Sequence, residues 1–160
     1  MLQGWLLRRR GTGEARDITI DAVIAYADRY EDTELSEAVR YGAKDMKTAL
    51  NMFRILHMCL WASNVYHNTI GRFDQYMYPF YEADIQSGRL TEQTALQLLQ
   101  EFFLSFNRDS DMYTGMQQGD NGQSLMLGGC DREGRCAVND LTYLALPQAL
   151  TTAVLIPRSI

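Results

Sequence analysis

Two adjacent side chains, Tyr66 and His67, could bind a small molecule and move a proton on it. An imidazole can donate, accept or shuttle a proton near neutral pH, and a phenol can donate or accept a hydrogen bond beside it. Both residues lie in a polar loop at 63–69, between an apolar helical segment and Gly71. Because loops held by rigid elements often carry sites, we predict that this pair faces a substrate hydroxyl or carboxylate.

Residues 71–84 contain the densest mixture of functional groups in the chain. Gly71 permits a tight turn out of the preceding helix, and Arg72 carries a planar guanidinium with five donors. Asp74 and Asp84 are candidate acceptors for that guanidinium or for backbone amides. Pairs of this kind hold loops together more often than they perform chemistry, so a structural corner is the favoured interpretation.

Helical periodicity accounts for most of the chain around these residues. Apolar side chains recur at helical spacing in segments 17–30, 35–43, 49–63, 91–106 and 139–149. Thr91 is a predicted N-cap, and Pro79 is predicted to begin a further helix because proline suits a first turn. Pro147 is predicted to cut the last helix. The segment 49–63 is apolar nearly all round, which indicates a buried helix with His57 as a core histidine.

A continuous apolar run at 124–127, bounded by glycines, predicts one strand buried on both faces, as in parallel sheets. The polar segment 107–122 before it predicts a long loop. No repeat supplies a partner strand, so the chain is predicted to be mainly α with one or few short strands. A single buried strand also indicates a piece of a larger fold.

The composition excludes several classes of function. The net charge of −5 disfavours nucleic acid as a partner, and no apolar stretch is long enough for a membrane helix. The start of the chain does not match a secretory signal, so a cytoplasmic location is expected. Cys59, Cys130 and Cys136 are an odd number without zinc spacing, which predicts reduced thiols and no metal site.

Two segments together resemble the glycyl radical enzymes that are similar to pyruvate formate-lyase. The first reads Gly71-Arg72-x-Asp74-Gln75-Tyr76-x-x-Pro79-x-Tyr81-x-x-Asp84. The second reads Leu127-Gly128-Gly129, then Gly134, then Ala137-x-Asn139-x-Leu141-x-Tyr143. The helix containing Ile24-Ala25-Tyr26-x-x-Arg29-Tyr30 looks like the one that precedes them in the family. The order and spacing match from about residue 22 to 146.

The resemblance implies a partial segment of a ten-stranded α/β barrel whose lumen holds the active site. Family members use a glycyl radical, installed by an iron-sulfur S-adenosylmethionine activase, to make a thiyl radical and cleave or dehydrate small oxygenated substrates. It implies substrate-binding roles for Asn64, Tyr66, His67 and Tyr143. It implies structural roles for the motif residues Gly71, Arg72, Asp74, Gln75, Gly128, Gly129 and Asn139. Packing of Tyr143 in the core is the alternative.

The chain departs from the family pattern after Tyr143, where the family continues into a cysteine loop and a glycyl loop. Neither motif is present in these 160 residues, so no catalytic residue is assigned. We therefore expect a ragged segment at 1–16, a partial domain at 17–150 and a divergent tail at 151–160. The expectation is an enzyme fragment inactive alone, or alternatively a free-standing helical interaction module. Its partners would be the remainder of the barrel or a full-length relative, and the radical activase.

A stripe of large apolar residues on the predicted helix at 91–106 bears on stability. The stripe consists of Ala95, Leu98, Leu99, Phe102, Phe103 and Phe106. It is core material, and burying each large residue contributes about 1.5–3 kcal/mol. The partners of this stripe are expected in the rest of the barrel, so the isolated chain is expected to self-associate or to be molten.

Overall fold

The computed structural model describes residues 13–29, 32–62, 69–106 and 124–154. Within these ranges the elements are α1 (Gly13–Asp28), α2 (Thr33–Tyr41), α3 (Met46–Ala62), β1 (Thr69–Arg72), α4 (Phe73–Gln86), α5 (Glu92–Ser105), β2 (Ser124–Met126) and α6 (Asp140–Val154). The mainly helical class with a few short strands is thus confirmed. The chain divides between Cys59 and Leu60 into two compact units. None of the helices in the described ranges is long and apolar enough to cross a lipid bilayer.

The first unit packs α1, α2 and the first part of α3 around a small apolar core. Val23, Ala27, Leu35 and Ile55 form its buried cluster. Helix α1 begins at Gly13 rather than near Asp17, because Glu14, Ala15 and Arg16 are good helix formers and extend it. Helix α2 ends at Tyr41 with Gly42 as its C-cap, close to the end of the predicted helical segment 35–43.

Helix α3 is less completely buried than its composition predicts. Leu56 is 39% exposed and Leu60 is 49% exposed, although most of the other apolar side chains described on this helix are covered. The predicted core position of His57 is confirmed, since its side chain is only 3% exposed. Its ring stacks on Phe53 at 5.9 Å, and Arg54 Nη1 lies 3.2 Å from Nδ1.

The second unit contains a parallel two-stranded sheet, β1–β2. The partner strand was not evident in the sequence because Thr69–Arg72 is short and interrupted by a glycine, which gives no period-two signal. The prediction that 124–127 is buried on both faces is wrong for the described residues, since Met126 is 52% exposed. Covering both faces of a parallel strand requires helical layers and neighbouring strands that two strands alone do not provide.

Both predictions that placed helix boundaries at prolines are wrong. Pro79 lies inside α4, which starts at Phe73, and Pro147 lies inside α6. Proline removes one backbone donor and normally costs about 3 kcal/mol in a helix interior. In α4 the buried side chains of Phe73, Met77 and Tyr81 hold the helix on both sides of the proline. Tertiary packing therefore overrides the local helix-breaking tendency.

Helix α5 begins and buries its stripe as predicted. Thr91 is the N-cap, with a reciprocal capping box to Thr94. The ring of Phe102 stacks on that of Phe73 in α4, with centroids 5.3 Å apart. The ring of Phe103 is tilted against Phe73, with centroids 5.7 Å apart. Much of the stripe thus finds its partners within this chain, which weakens the stability argument for self-association.

Candidate functional site

The glycine–arginine motif begins in β1 and turns directly into α4. Gly71 has φ of +71°, a conformation that favours glycine, and it lies inside the strand rather than in a turn out of a helix. The strand pairing is irregular between Thr69 and Gly71. The Thr69 hydroxyl spans this irregularity, donating to the carbonyl of Ser124 at 2.9 Å and accepting from the amide of Gly71 at 2.9 Å.

Asp74, in the first turn of α4, connects this motif to the second one. Its side chain is fully buried, and its Oδ2 accepts a hydrogen bond of 2.6 Å from the amide of Gly128. The same oxygen accepts a hydrogen bond of 2.5 Å from the hydroxyl of Thr142 in α6. Its Oδ1 is buried and has no hydrogen-bond partner among the described residues. One carboxyl group thus joins α4, the glycine loop and α6.

Three further side chains of the motifs make the same connection. Arg72 Nη2 donates to the carbonyl of Gly128 at 3.0 Å, and Gln75 Nε2 donates to the carbonyl of Ala137 at 2.6 Å. Asn139 Nδ2 donates to the backbone carbonyl of Asp74 at 3.2 Å. The two segments that are far apart in the sequence therefore form one hydrogen-bonded junction, which supports the structural corner favoured from the sequence.

Asp84 pairs with Arg89, whereas the sequence had suggested Arg72 as its partner. Its buried carboxyl accepts hydrogen bonds from Arg89, with Nε at 2.7 Å and Nη2 at 2.5 Å, so it does not pair with Arg72. Arg89 follows only five positions later in the turn between α4 and α5. This ion pair fixes the end of α4 rather than the junction.

The two glycines after β2 have backbone conformations that favour glycine, and they lie close to neighbouring side chains. Gly128 has φ of +66°, and a Cβ there would lie 3.0 Å from Val138 Cγ2. Gly129 has φ of +84°, and a Cβ there would lie 3.7 Å from Arg72 Nη2. Any other residue at either position would be strained by its backbone conformation, and at Gly128 it would also be crowded.

Burial and hydrogen bonds shift two pKa values near the junction. Burial raises the pKa of the Tyr76 phenol far above its usual value, and the hydroxyl donates to the carbonyl of Ile70 at 2.8 Å. Hydrogen bonds from the backbone of Arg135 lead the causes that lower the pKa of Asp131. The Tyr76 phenol therefore stays protonated and the Asp131 carboxyl stays ionised at neutral pH, so neither group exchanges a proton there.

The predicted substrate-binding residues are not assembled by the described residues. Asn64, Tyr66 and His67 lie outside them, as does the predicted loop at 107–122. Tyr143 is described and is 70% exposed, so the alternative that it packs in the core is wrong. Within the described ranges, no three His, Cys, Asp or Glu side chains are grouped so that they could hold a metal ion.

Two residues with structural roles were not identified from the sequence. Thr142 belongs to the junction, and Arg89 belongs to the turn between α4 and α5. Thr142 also forms a reciprocal cap with Asn139, because each amide donates to the side chain of the other at 3.0 and 3.1 Å. Its spacing of three residues after an asparagine is the signature of a helix N-terminus. That local signal could have identified Thr142 as part of the start of α6, but not its bond to Asp74.

Comparison with known proteins identifies the family to which these two motifs belong. Residues 35–158 match the model of the family described as Pyruvate formate lyase-like. The chain belongs to this family. Since the match includes both motifs of the junction, the resemblance read from the sequence is confirmed, and the relatives are glycyl radical enzymes.

Individual relatives agree with the family match. The chain is 29% identical over 165 aligned positions to an isethionate sulfite-lyase of Nitratidesulfovibrio vulgaris, covering 83% of this chain and 20% of that protein. It is 35% identical to a (2S)-3-sulfopropanediol dehydratase of Klebsiella oxytoca, covering 59% of this chain and 12% of that protein.

A solved structure shows the same fold. A glycyl radical enzyme from Archaeoglobus fulgidus superposes with a TM-score of 0.67 at 22% identity, covering 86% of this chain and 21% of that one. The chain thus spans about a fifth or less of the length of these three proteins.

Proposed function

We propose that this chain is a segment of a glycyl radical lyase or dehydratase that acts on a small oxygenated substrate. In this proposal the segment builds part of the barrel wall and has no turnover of its own. The observation that carries it is the junction at Asp74, whose hydrogen bonds join both family motifs. The family match over residues 35–158 supports the same assignment.

The remainder of the ten-stranded barrel, or a full-length relative, is the proposed partner. One feature of the second unit supports an interface with further chain. Met126 of β2 is 52% exposed, although a barrel strand is covered on both faces.

The radical chemistry is assigned to parts of the barrel beyond these residues. The family's glycyl radical requires a glycyl loop and its thiyl radical requires a cysteine loop, and neither motif occurs in these 160 residues. Cys130 and Cys136 lie in the hairpin after the glycine pair, and Cys59 lies in α3. The residues of this chain therefore do not fit the radical or the activase reaction, and their role is to position and to exclude solvent.

The substrate contacts are proposed from the resemblance to the family. Asn64, Tyr66 and His67 lie two to five positions before β1 in the sequence, and Tyr143 of α6 is 70% exposed. Together they offer amide, phenol and imidazole groups for a hydroxyl or an anionic oxygen. Because relatives are named for isethionate and sulfopropanediol, a small hydroxylated sulfonate is a suitable first candidate.

A chimera provides the test of this function. Residues 35–158 would replace the matching segment of a full-length isethionate sulfite-lyase, and the protein would be activated anaerobically. We expect a glycyl radical doublet in electron paramagnetic resonance and turnover of a small oxygenated substrate. A folded chimera that forms the radical but turns over neither isethionate nor a diol would overturn the proposal. The isolated chain, treated identically with activase and S-adenosylmethionine, is expected to give no doublet.

A helical interaction module remains the second candidate, because α6 presents an apolar face. Tyr143 is 70% exposed and Leu146 is 47% exposed, and they are three positions apart on the same helix side. Under this alternative the face binds another protein or a second copy of the chain. An active chimera would favour the enzyme segment, and stable self-association of an inactive chimera would favour the module.

A further inference from the structure

Cys130 and Cys136 face each other across a short antiparallel hairpin, where they form an isolated β-bridge. The amide of Ala137 donates to the carbonyl of Gly129 at 2.9 Å, and the amide of Asp131 donates to the carbonyl of Arg135 at 2.9 Å. This pattern makes the cysteines a non-hydrogen-bonded pair. At such positions opposite Cα atoms approach to about 4.5 Å and the side chains are closest. That separation lies within the range found for disulfide-linked cysteines.

The turn between the two cysteines is held by one aspartate. Asp131 Oδ1 accepts hydrogen bonds of 2.9 Å from the amides of Glu133 and Arg135, while Oδ2 accepts one of 2.7 Å from Arg135 Nε. Gly134 supplies the positive φ of +79° that the turn requires. The two strands of the hairpin are therefore opposed before any covalent bond joins them.

The family motif anchors the base of the same hairpin. Gln75 Nε2 donates to the carbonyl of Ala137, next to Cys136, and Arg72 Nη2 donates to the carbonyl of Gly128. The two cysteines are free and exposed, so a reagent in solution can reach both. Cys59, by contrast, is only partly exposed, and it lies in α3.

We propose that Cys130 and Cys136 are a reversible dithiol–disulfide site that reacts with small-molecule disulfides. The thiolate of one cysteine attacks a sulfur of the reagent, which forms a mixed disulfide and releases one small thiol. The thiolate of the other cysteine then attacks the protein-bound sulfur of that mixed disulfide, which closes the Cys130–Cys136 bond and releases the second small thiol. The protein loses two electrons, the reagent gains them, and the two thiol protons leave on the released thiols.

Peptide mapping after oxidation tests the pairing. The chain would be equilibrated with reduced and oxidised glutathione, alkylated and digested with trypsin. Arg132 and Arg135 lie between the two cysteines, so trypsin separates them unless a disulfide joins their peptides. We expect one linked species that contains both cysteines, with Cys59 alkylated. Predominant glutathione adducts, links to Cys59 or links between two copies of the chain would each overturn the proposal.

A second measurement separates the effect of the fold from simple proximity in sequence. The ratio of reduced to oxidised glutathione at half-oxidation would be compared for the native chain and for the chain in urea. We expect the native fold to favour the disulfide by about tenfold or more, because the hairpin already opposes the two thiols. Equal ratios in the two states would overturn the proposal.

Substitutions test whether the turn held by Asp131 causes the preference of the native fold for the disulfide. Asp131→Ala is expected to move the native ratio toward that of the unfolded chain, because it removes the bonds that hold the turn. Asp21→Ala, at an exposed aspartate of α1, is the matched control and is expected to leave the ratio unchanged. Cys59→Ser is expected to form the same linked peptide as the unchanged chain. Insensitivity of the ratio to Asp131→Ala would contradict the role of the turn, and loss of the linked peptide in Cys59→Ser would overturn the pairing.

Discussion

Asp74 and Gly128 are 54 positions apart in the sequence, yet the Asp74 carboxyl accepts a hydrogen bond of 2.6 Å from the Gly128 amide. This contact joins the start of α4 to the loop that follows β2. Because β1 runs directly into α4, the same contact helps to fix the register of the parallel strand pair. The two family motifs therefore act as halves of one structural junction.

Replacing Asp74 by alanine is expected to destabilise the chain by about 2–4 kcal/mol, because the Gly128 amide and the Thr142 hydroxyl lose their acceptor inside the protein. Asp74→Asn keeps one acceptor oxygen and is expected to cost clearly less. Urea unfolding followed by circular dichroism measures both variants. Equal losses for the two variants would show that hydrogen bonding to Oδ2 is not the source of the stability.

Gly128→Ala is expected to destabilise more than Gly134→Ala. Both positions have positive φ, so each substitution costs about 1–2 kcal/mol for its backbone conformation. At Gly128 the new Cβ would also lie 3.0 Å from Val138 Cγ2, whereas Gly134 has open space. Thermal unfolding of both variants measures the difference. The double variant Gly128→Ala with Val138→Ala should recover part of the additional loss, and no recovery would contradict the steric explanation.

Tyr76→Phe is expected to change how stability depends on alkaline pH. Burial raises the pKa of Tyr76 in the folded chain above its usual value near 10, so the stability that this group contributes is complete below about pH 10 and declines above it. At neutral pH the variant should be less stable by about 0.5–1.5 kcal/mol, because it loses the bond to Ile70. That difference should shrink or reverse as the pH rises.

Urea unfolding at about pH 8 and about pH 11 measures this effect on the free energy of unfolding. The unchanged chain should lose up to about 1.4 kcal/mol per pH unit relative to the variant above the unfolded pKa. A difference between the two proteins that is constant over this range would show that the Tyr76 phenol does not stay protonated in the folded chain.

The exposed face of α6 is expected to drive self-association of the isolated chain. Replacing Tyr143 and Leu146 together by serine should lower association, because both large side chains are substantially exposed. Sedimentation equilibrium over a range of concentrations measures the change. Ile18→Ser, at a residue of α1 that is 64% exposed, is the matched control. An equal decrease in the control would indicate nonspecific association.

His67→Ala in the activated chimera is expected to abolish most turnover while the glycyl radical still forms. The reason is that the imidazole is proposed to hold a proton at the substrate rather than to support the barrel. Steady-state kinetics and the radical signal are measured on the same sample. Asn68→Ala, at the next position in the sequence, serves as the control and should retain turnover. Unchanged turnover in His67→Ala would make His67 a structural loop residue.

The sequence predicted those helices whose ends are determined by nearby residues. Thr91 caps α5 through Thr94, and at the end of α2 the amide of Gly42 donates a hydrogen bond of 2.8 Å to the carbonyl of Ala38. These bonds join residues at most four positions apart, so their residue types and spacing are visible in the chain itself. The family motifs were also visible in sequence, because their side chains are fixed in type and order.

Tertiary structure alone decided the features that depend on distant partners. The helices continue through Pro79 and Pro147, and packing around Phe73 outweighs the local cost at the first of these prolines. The strand Thr69–Arg72 exists because β2 pairs with it, and Thr142 reaches Asp74 across 68 positions. Contacts between residues so far apart leave no periodic signal in the sequence, because each is made only after the chain has folded.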